Sequence, residues 1–159
     1  MKKLLSLFAV LLLVSACESA PSDDGAAGAG GAGGMAGAAT PGSARDFAEN
    51  VGDRVFYALD SSTLTSEARA TLDKQAAWLK RYSNTRVTVE GHCDERGTRE
   101  YNLALGERRA TAAKNYLVAA GIPAARISTI SYGKERPAVV GNTEAAYSQN
   151  RRAVSVVAQ

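Results

Sequence analysis

The stretch "RVTVEGHCDERGTREYNLALGERRATAAKNYL", residues 86–117, contains a change of period that decides the fold. "RVTVEG", Arg86 to Gly91, alternates as a strand does, and from about Glu100 to Ala120 the apolar positions recur at helical spacing. The polar loop "HCDERGTR" lies between them, and Gly121 followed by Pro123 closes the helix. At roughly 100° per residue, Leu105, Ala110, Ala112, Ala113, Tyr116 and Leu117 fall on one side of that helix. Arg109 and Asn102 project into this apolar side, whereas Arg108 points toward solvent. A guanidinium cannot shed its charge, so Arg109 held against a core needs an anion, either from this chain or from something it binds.

On either side of this unit the pattern alternates between strands and helices. "RVFYAL", Arg54 to Leu59, reads as a strand running into the polar turn "DSST", and Thr65 caps a helix reaching Tyr82 with Ala68, Leu72 and Leu79 inward. After the central unit, "RISTISYG" (126–133) alternates as a strand. A polar stretch with Pro137 and Gly141 follows, then a short helix around 143–148, and "RRAVSVVA" closes the chain as a last strand. The order β-α-β-α-β-β predicts an α/β (α+β) sandwich, a mixed sheet with its helices packed on one face.

The first 44 of 159 residues do not read as globular, which leaves about 115 for one domain, residues 45–159. Lys2 and Lys3 precede an apolar run from Leu4 to Val14, too short for a permanent membrane span and placed as in a signal peptide, residues 1–16. "VSAC", residues 14–17, resembles a bacterial lipobox, so Cys17 is the expected lipidation site and the new N-terminus. The Gly- and Ala-rich segment that follows cannot bury a core, and residues 17–44 are expected to form a lipidated, flexible tether with a typical reach of roughly 30 Å.

Removal of residues 1–16 takes away two lysines and no acid, leaving 17 basic against 16 acidic residues. A charge near neutrality together with export argues against a nucleic-acid partner, and none is expected. With Cys17 acylated, Cys93 is the only thiol left and no intramolecular disulfide forms. His92 is the single histidine and lacks spaced ligand partners, so neither a metal nor another cofactor is expected. Enzymatic chemistry is not expected either. Asp94 and Glu95 are adjacent and diverge, and His92 and Cys93 cannot easily face one another as base and nucleophile.

Residues just past a strand's C-terminal end face the start of the next helix, where α/β layers place ligands. Asp94 occupies that loop, and Asn102, Leu105 and Arg109 form a row on the helix behind it. Such a pocket would suit a zwitterion, with Arg109 forked onto its carboxylate and Asp94 taking its ammonium. The alternative is that the Arg and Asp only tie a loop to a helix. Glu95 and Arg96 read as solvated loop charges, His92 as a hydrogen-bonded loop residue, and Trp78 and Tyr116 as core aromatics.

Residues 90–117 and "SYGKERPAVVGNTEAAYSQNRRAV" (131–154) resemble the OmpA-like family, in the form it takes in the peptidoglycan-associated lipoproteins (Pal) of Gram-negative bacteria. The resemblance implies a mixed α/β sandwich whose ligand is the diaminopimelate of peptidoglycan stem peptides. It places the family's ligand-holding residues, the Asp of "GHxD" and the second Arg of "xRRA", on Asp94 and Arg109. Asn102 and Leu105 match its helix positions, Asp60 the Asp closing its first strand, and Arg151 the first Arg of its terminal "NRR". Two departures stand out: "GHCD" carries Cys93 where the family has a hydroxyl, and "FYALD" carries Leu59 where it has an aromatic. The implied protein is a non-catalytic, lipid-anchored protein of the outer membrane that faces the periplasm and grips the cell wall. It is further implied to partner the periplasmic β-propeller of the Tol system and to support envelope integrity and cell division. Glu18 after Cys17 agrees with outer-membrane sorting.

Overall fold

The computed structural model describes residues 38–158. The signal segment, Cys17 and the tether up to residue 37 lie outside the described residues. The elements run α1 (Ala44–Asp46), which continues as a π-helical turn (Phe47–Gly52), β1 (Arg54–Phe56), α2 (Ser66–Arg81), β2 (Arg86–His92), α3 (Arg99–Ala119), a 3-10 turn (Ala124–Arg126), β3 (Ile127–Gly133), α4 (Glu144–Asn150) and β4 (Arg152–Ala158). Four strands form one sheet in the order β1-β4-β2-β3. β4 pairs antiparallel with both β1 and β2, and β2 pairs parallel with β3.

This topology creates the site. β4 runs against its two neighbours, so the C-terminal ends of β1 and β2 meet the N-terminal end of β4, as the registers Phe56↔Arg152 and Gly91↔Ala153 show. Three loops therefore converge at one end of the sheet.

The alternation of β2 and β4 turns Val87, Val89 and Ala153 toward the helices, where they meet Leu72 and Leu79 of α2 and Ala110, Ala113 and Leu117 of α3. Phe56, Ile130 and Val156 stay exposed on the other face. Thr65 and Thr98 cap α2 and α3, accepting from the backbone N–H groups of Ala68 and Tyr101 at 3.2 Å each. α3 lies unusually close to β2. A Cβ added at Gly91 would stand 1.8 Å from the carbonyl oxygen of Gly106, so only paired glycines permit the approach.

Four local readings are corrected. β1 ends at Phe56 rather than Leu59: Tyr57 keeps the inward phase of Val55 and its N–H still donates to the carbonyl of Arg151 at 2.9 Å, but register pairing with β4 stops at Phe56, and the Tyr57 hydroxyl donates to the carbonyl of Arg109 at 2.8 Å. The chain then reverses through Asp60, at φ +53°. Arg126 belongs to the 3-10 turn, where its guanidinium donates to the carbonyls of Leu79, Tyr82 and Thr85 at the end of α2. The last helix runs to Asn150, two residues further than its sequence pattern implied. Finally, α1 and the π-helical turn were not legible, although they bury Phe47 edge-on against Trp78 at 4.8 Å. Trp78 donates from Nε1 to Asp46 at 2.8 Å, and the Tyr116 hydroxyl donates to Asp73 at 2.8 Å.

Candidate functional site

At the convergent end of the sheet a cavity of about 230 Å³ opens between the β1–α2 turn, the β2–α3 loop and the first half of α3. Asp60, Asp94, Asn102, Leu105, Arg109 and Arg151 all line it. They arrive from four separate parts of the chain.

Arg109 is the most deeply placed, 1% exposed, while its neighbour Arg108 lies on the surface. Its Nε donates to the carbonyl of Ser61 at 2.8 Å, Nη1 to that of His92 at 2.9 Å and Nη2 to that of Ala58 at 3.1 Å. Tyr57 stacks on it, the guanidinium carbon lying 5.3 Å from the ring centre. The anion that the sequence pattern called for is thus not supplied by the fold: among the described residues no carboxylate lies within ion-pair distance of Arg109. Carbonyl dipoles engage three of its five N–H groups and leave one on each terminal nitrogen. Burial pushes its pKa down, yet a guanidinium remains cationic, so net positive charge stands at the cavity wall.

Asp94 is held differently from the expectation. It pairs with Arg96 and Arg151 instead of Arg109: Arg96 donates from Nη2 at 2.6 Å and from Nε at 3.2 Å, and Arg151 from Nη1 at 3.3 Å. Burial pushes the Asp94 carboxyl up, but the hydrogen bonds from Arg96 and Arg151 outweigh it and hold the group below the usual carboxylate range. Arg96 is thus an exposed loop charge, as its sequence position implied, but one paired with Asp94. It lies against the Tyr147 ring at 4.3 Å, and Tyr147 in turn donates to Glu95 at 2.9 Å. Arg151 also donates to the carbonyl of Tyr57 and to Glu144, at 3.1 and 2.6 Å, and so ties β1, β4 and α4 to the site.

The remaining residues shape the walls. Asn102 spends its amide N–H groups on the carbonyls of Arg96 and Thr98, at 2.8 and 3.0 Å, which folds the β2–α3 loop over α3. Leu105 forms an apolar wall. Asp60 accepts a hydrogen bond from Tyr101, which bridges the β1–α2 turn to α3 across the rim. Cys93 is buried and donates from Sγ to the carbonyl of Asn102 at 3.4 Å, the kind of contact a hydroxyl would make. Burial pushes its thiol up, away from the reactive thiolate.

His92 is corrected as well. It ends β2 rather than lying in a loop, and neither ring nitrogen has a hydrogen-bond partner among the described residues. Glu90 stands 3.4 Å from Nε2. Burial, with Arg152 and Arg136 nearby, lowers its pKa to about 4. Among the described residues no group of three or more His, Cys, Asp or Glu side chains could hold a metal ion.

Sequence reasoning missed Tyr57, Tyr101 and Arg96. Tyr57 is inward in phase with Val55, so its period marks a core residue and not a site residue, and side-chain reach across a loop leaves no periodic signal.

Comparison with known proteins bears directly on this arrangement. The pattern of the OmpA family matches residues 56–151, which include every residue just placed around the cavity. The chain belongs to the OmpA family. Within it, the chain is 59% identical over 120 residues to a peptidoglycan-associated lipoprotein of Rhizobium meliloti, an alignment covering 76% of this chain and 68% of that one. A peptidoglycan-associated lipoprotein of Pasteurella multocida is 44% identical over 157 residues, 97% of this chain and 98% of the other. The crystal structure of the peptidoglycan-associated lipoprotein from Burkholderia pseudomallei superposes with a TM-score of 0.68 at 35% identity, covering 73% of this chain and all of that one. The predicted fold class, a mixed sheet with helices layered on it, is that of this OmpA-family domain.

Proposed function

We propose that this OmpA-family domain binds peptidoglycan without covalent bonds, and that its cavity takes the side-chain terminus of diaminopimelate in a stem peptide. One observation carries the reading: Arg109 is a buried cation with N–H groups to spare and no carboxylate partner among the described residues, set in the same cavity as the carboxylate of Asp94. A group bearing both carboxylate and ammonium would satisfy both ends. Arg109 would receive the carboxylate, Asp94 the ammonium, and Leu105 the methylene chain, while Asn102 and Arg151 hold the loops in place and Asp60 closes the rim. No reacting group is required, and the protein acts as an anchor rather than an enzyme. The relatives' names support wall association. Lipid on Cys17 and a tether through residue 44 would then join the domain to the outer membrane, facing the periplasm.

Each ligand contact is a hydrogen bond to a charged group, worth about 1.5 to 3 kcal/mol before ordering costs, so a single domain binds weakly. Firm attachment comes from many copies facing a polymer. The test is calorimetric titration of the full chain in detergent with a diaminopimelate tripeptide and its lysine counterpart. Selective binding that vanishes in Arg109→Ala and in Asp94→Asn, both checked for folding, is the expected outcome. Equal binding of the two peptides overturns the reading.

A second reading has its own observation. Three carbonyls already engage Arg109, which is what a purely structural arginine would show. In that case the same end of the domain would dock the periplasmic β-propeller of the Tol system and not the wall. A domain that ignores both peptides yet binds the propeller would establish it.

A further inference from the structure

We infer that Arg96 is a displaceable latch on Asp94, closed in this structure, and thereby a specificity-determining residue of the cavity. The inference rests on the wall-peptide reading above.

Two cations sit on Asp94, and they are held in different ways. Arg151 is built in: its side chain is 8% exposed and also bonded to the carbonyl of Tyr57 and to Glu144. Arg96 is 39% exposed on its side chain, and beyond Asp94 its guanidinium meets the face of Tyr147 and, at 3.8 Å, Glu144. Its fork nevertheless engages both carboxylate oxygens, Nη2 on Oδ2 and Nε on Oδ1. The backbone N–H of Arg96 also donates to Asp94 Oδ1, at 3.2 Å, so the loop stays folded on Asp94 when the side chain leaves. A ligand ammonium thus meets a carboxylate already occupied by an internal cation.

The same geometry supplies the exit. Glu144 Oε2 lies 3.8 Å from Arg96 Nη2, and the Tyr147 ring stacks beneath the guanidinium in a position to remain its support as it swings. Moving from Asp94 to Glu144 gives up the fork on Asp94 and tightens a pair already made at 3.8 Å, on a carboxylate that Arg151 holds by its other oxygen at 2.6 Å, so a cation brought to Asp94 by the ligand shifts the latch. Glu144, well exposed, offers a weaker partner than Asp94, and this keeps the latch closed when no ligand is bound.

Selectivity follows from the charge count. An ammonium placed on Asp94 pairs with the carboxylate that Arg96 vacates. A ligand with a carboxylate alone brings no cation for Asp94, and it gains from Arg96 staying in place, because the latch neutralises Asp94 beside the incoming anion. Removing Arg96 should therefore act with opposite signs on the two ligand types. A residue that merely shaped the loop would change both in the same direction.

The experiment uses the full chain in detergent and three tripeptides whose third residue is diaminopimelate, lysine or 2-aminopimelate, the last keeping the side-chain carboxylate without the ammonium. For Arg96→Ala, and for Arg96→Gln as a second variant, affinity for the diaminopimelate peptide should rise about three- to tenfold, the scale of one competing charged hydrogen bond partly replaced. Affinity for the 2-aminopimelate peptide should fall. Glu144→Gln, which removes the latch's alternative seat, should weaken the diaminopimelate peptide and leave the 2-aminopimelate peptide within twofold. Parallel loss for all peptides in the Arg96 variants, or no change, overturns the latch. A native chain that does not discriminate the diaminopimelate peptide from the lysine peptide overturns instead the reading of the cavity on which the latch rests.

Discussion

Arg109 combines a structural and a binding use because a guanidinium has five donors and its fold engages only three. Arg109→Lys keeps the charge but presents no planar fork, so it should lose peptide binding and also melt lower, since Ser61, Ala58 and His92 lose a shared donor. Thermal unfolding and titration of the same sample check both. His92 makes a separate prediction. Its pKa, lowered by burial to about 4, lies below the unfolded value, so its contribution to stability is complete above about pH 6.5 and is lost as pH falls toward and through about 4. At pH 4 the loss should reach about 3 kcal/mol relative to a His92→Gln control, read from urea unfolding. Arg152, Arg136 and Arg54 oppose protonation, and the Glu90 carboxylate stands 3.4 Å from Nε2. The choice of Arg109 over Arg108 was legible from helical spacing alone. The partners of Asp94 were not, because Arg151 reaches it from 57 residues away.

Among the elements, α3 does most to position the site, and its attachment depends on a close crossing. Gly91→Ala should destabilise by at least about 2 kcal/mol, because the added methyl meets the Gly106 backbone, which cannot step aside as a side chain could. Denaturant unfolding would measure it, and the same substitution should loosen the site, since Arg109 lies one turn beyond Gly106. Thr98→Ala removes the cap that starts α3 and should cost about 1 kcal/mol. The spans of α2 and α3 were readable to within a residue or so, because their caps and apolar rows are local. β1 was not. Tyr57 and Leu59 have strand propensity, but pairing with β4 stops at Phe56↔Arg152 and the chain turns at Asp60, φ +53°, which propensity does not register.

At the scale of the whole molecule, α1 and the π-helical turn close the core from outside the period that revealed it. Phe47→Ala should cost about 3 to 5 kcal/mol in urea unfolding, the usual range for emptying a buried phenylalanine site, because Phe47 is 1% exposed and packed on Trp78. Sheet order decides where function can reside: with β4 inserted between β1 and β2, the ends of three strands share one edge of the sheet. The amino-acid sequence alone determined the alternation of strands and helices, the caps, the inward arginine and the family resemblance, since each depends on residues near one another or on a motif. Only the tertiary structure decided that Arg109 is held by carbonyls, that Asp94 carries two arginines, and that Tyr101 and Asp60 meet across the rim. Apart from Arg96, two residues from Asp94, those contacts join segments far apart in the chain, where side-chain reach and strand order, and not periodicity, select the partner.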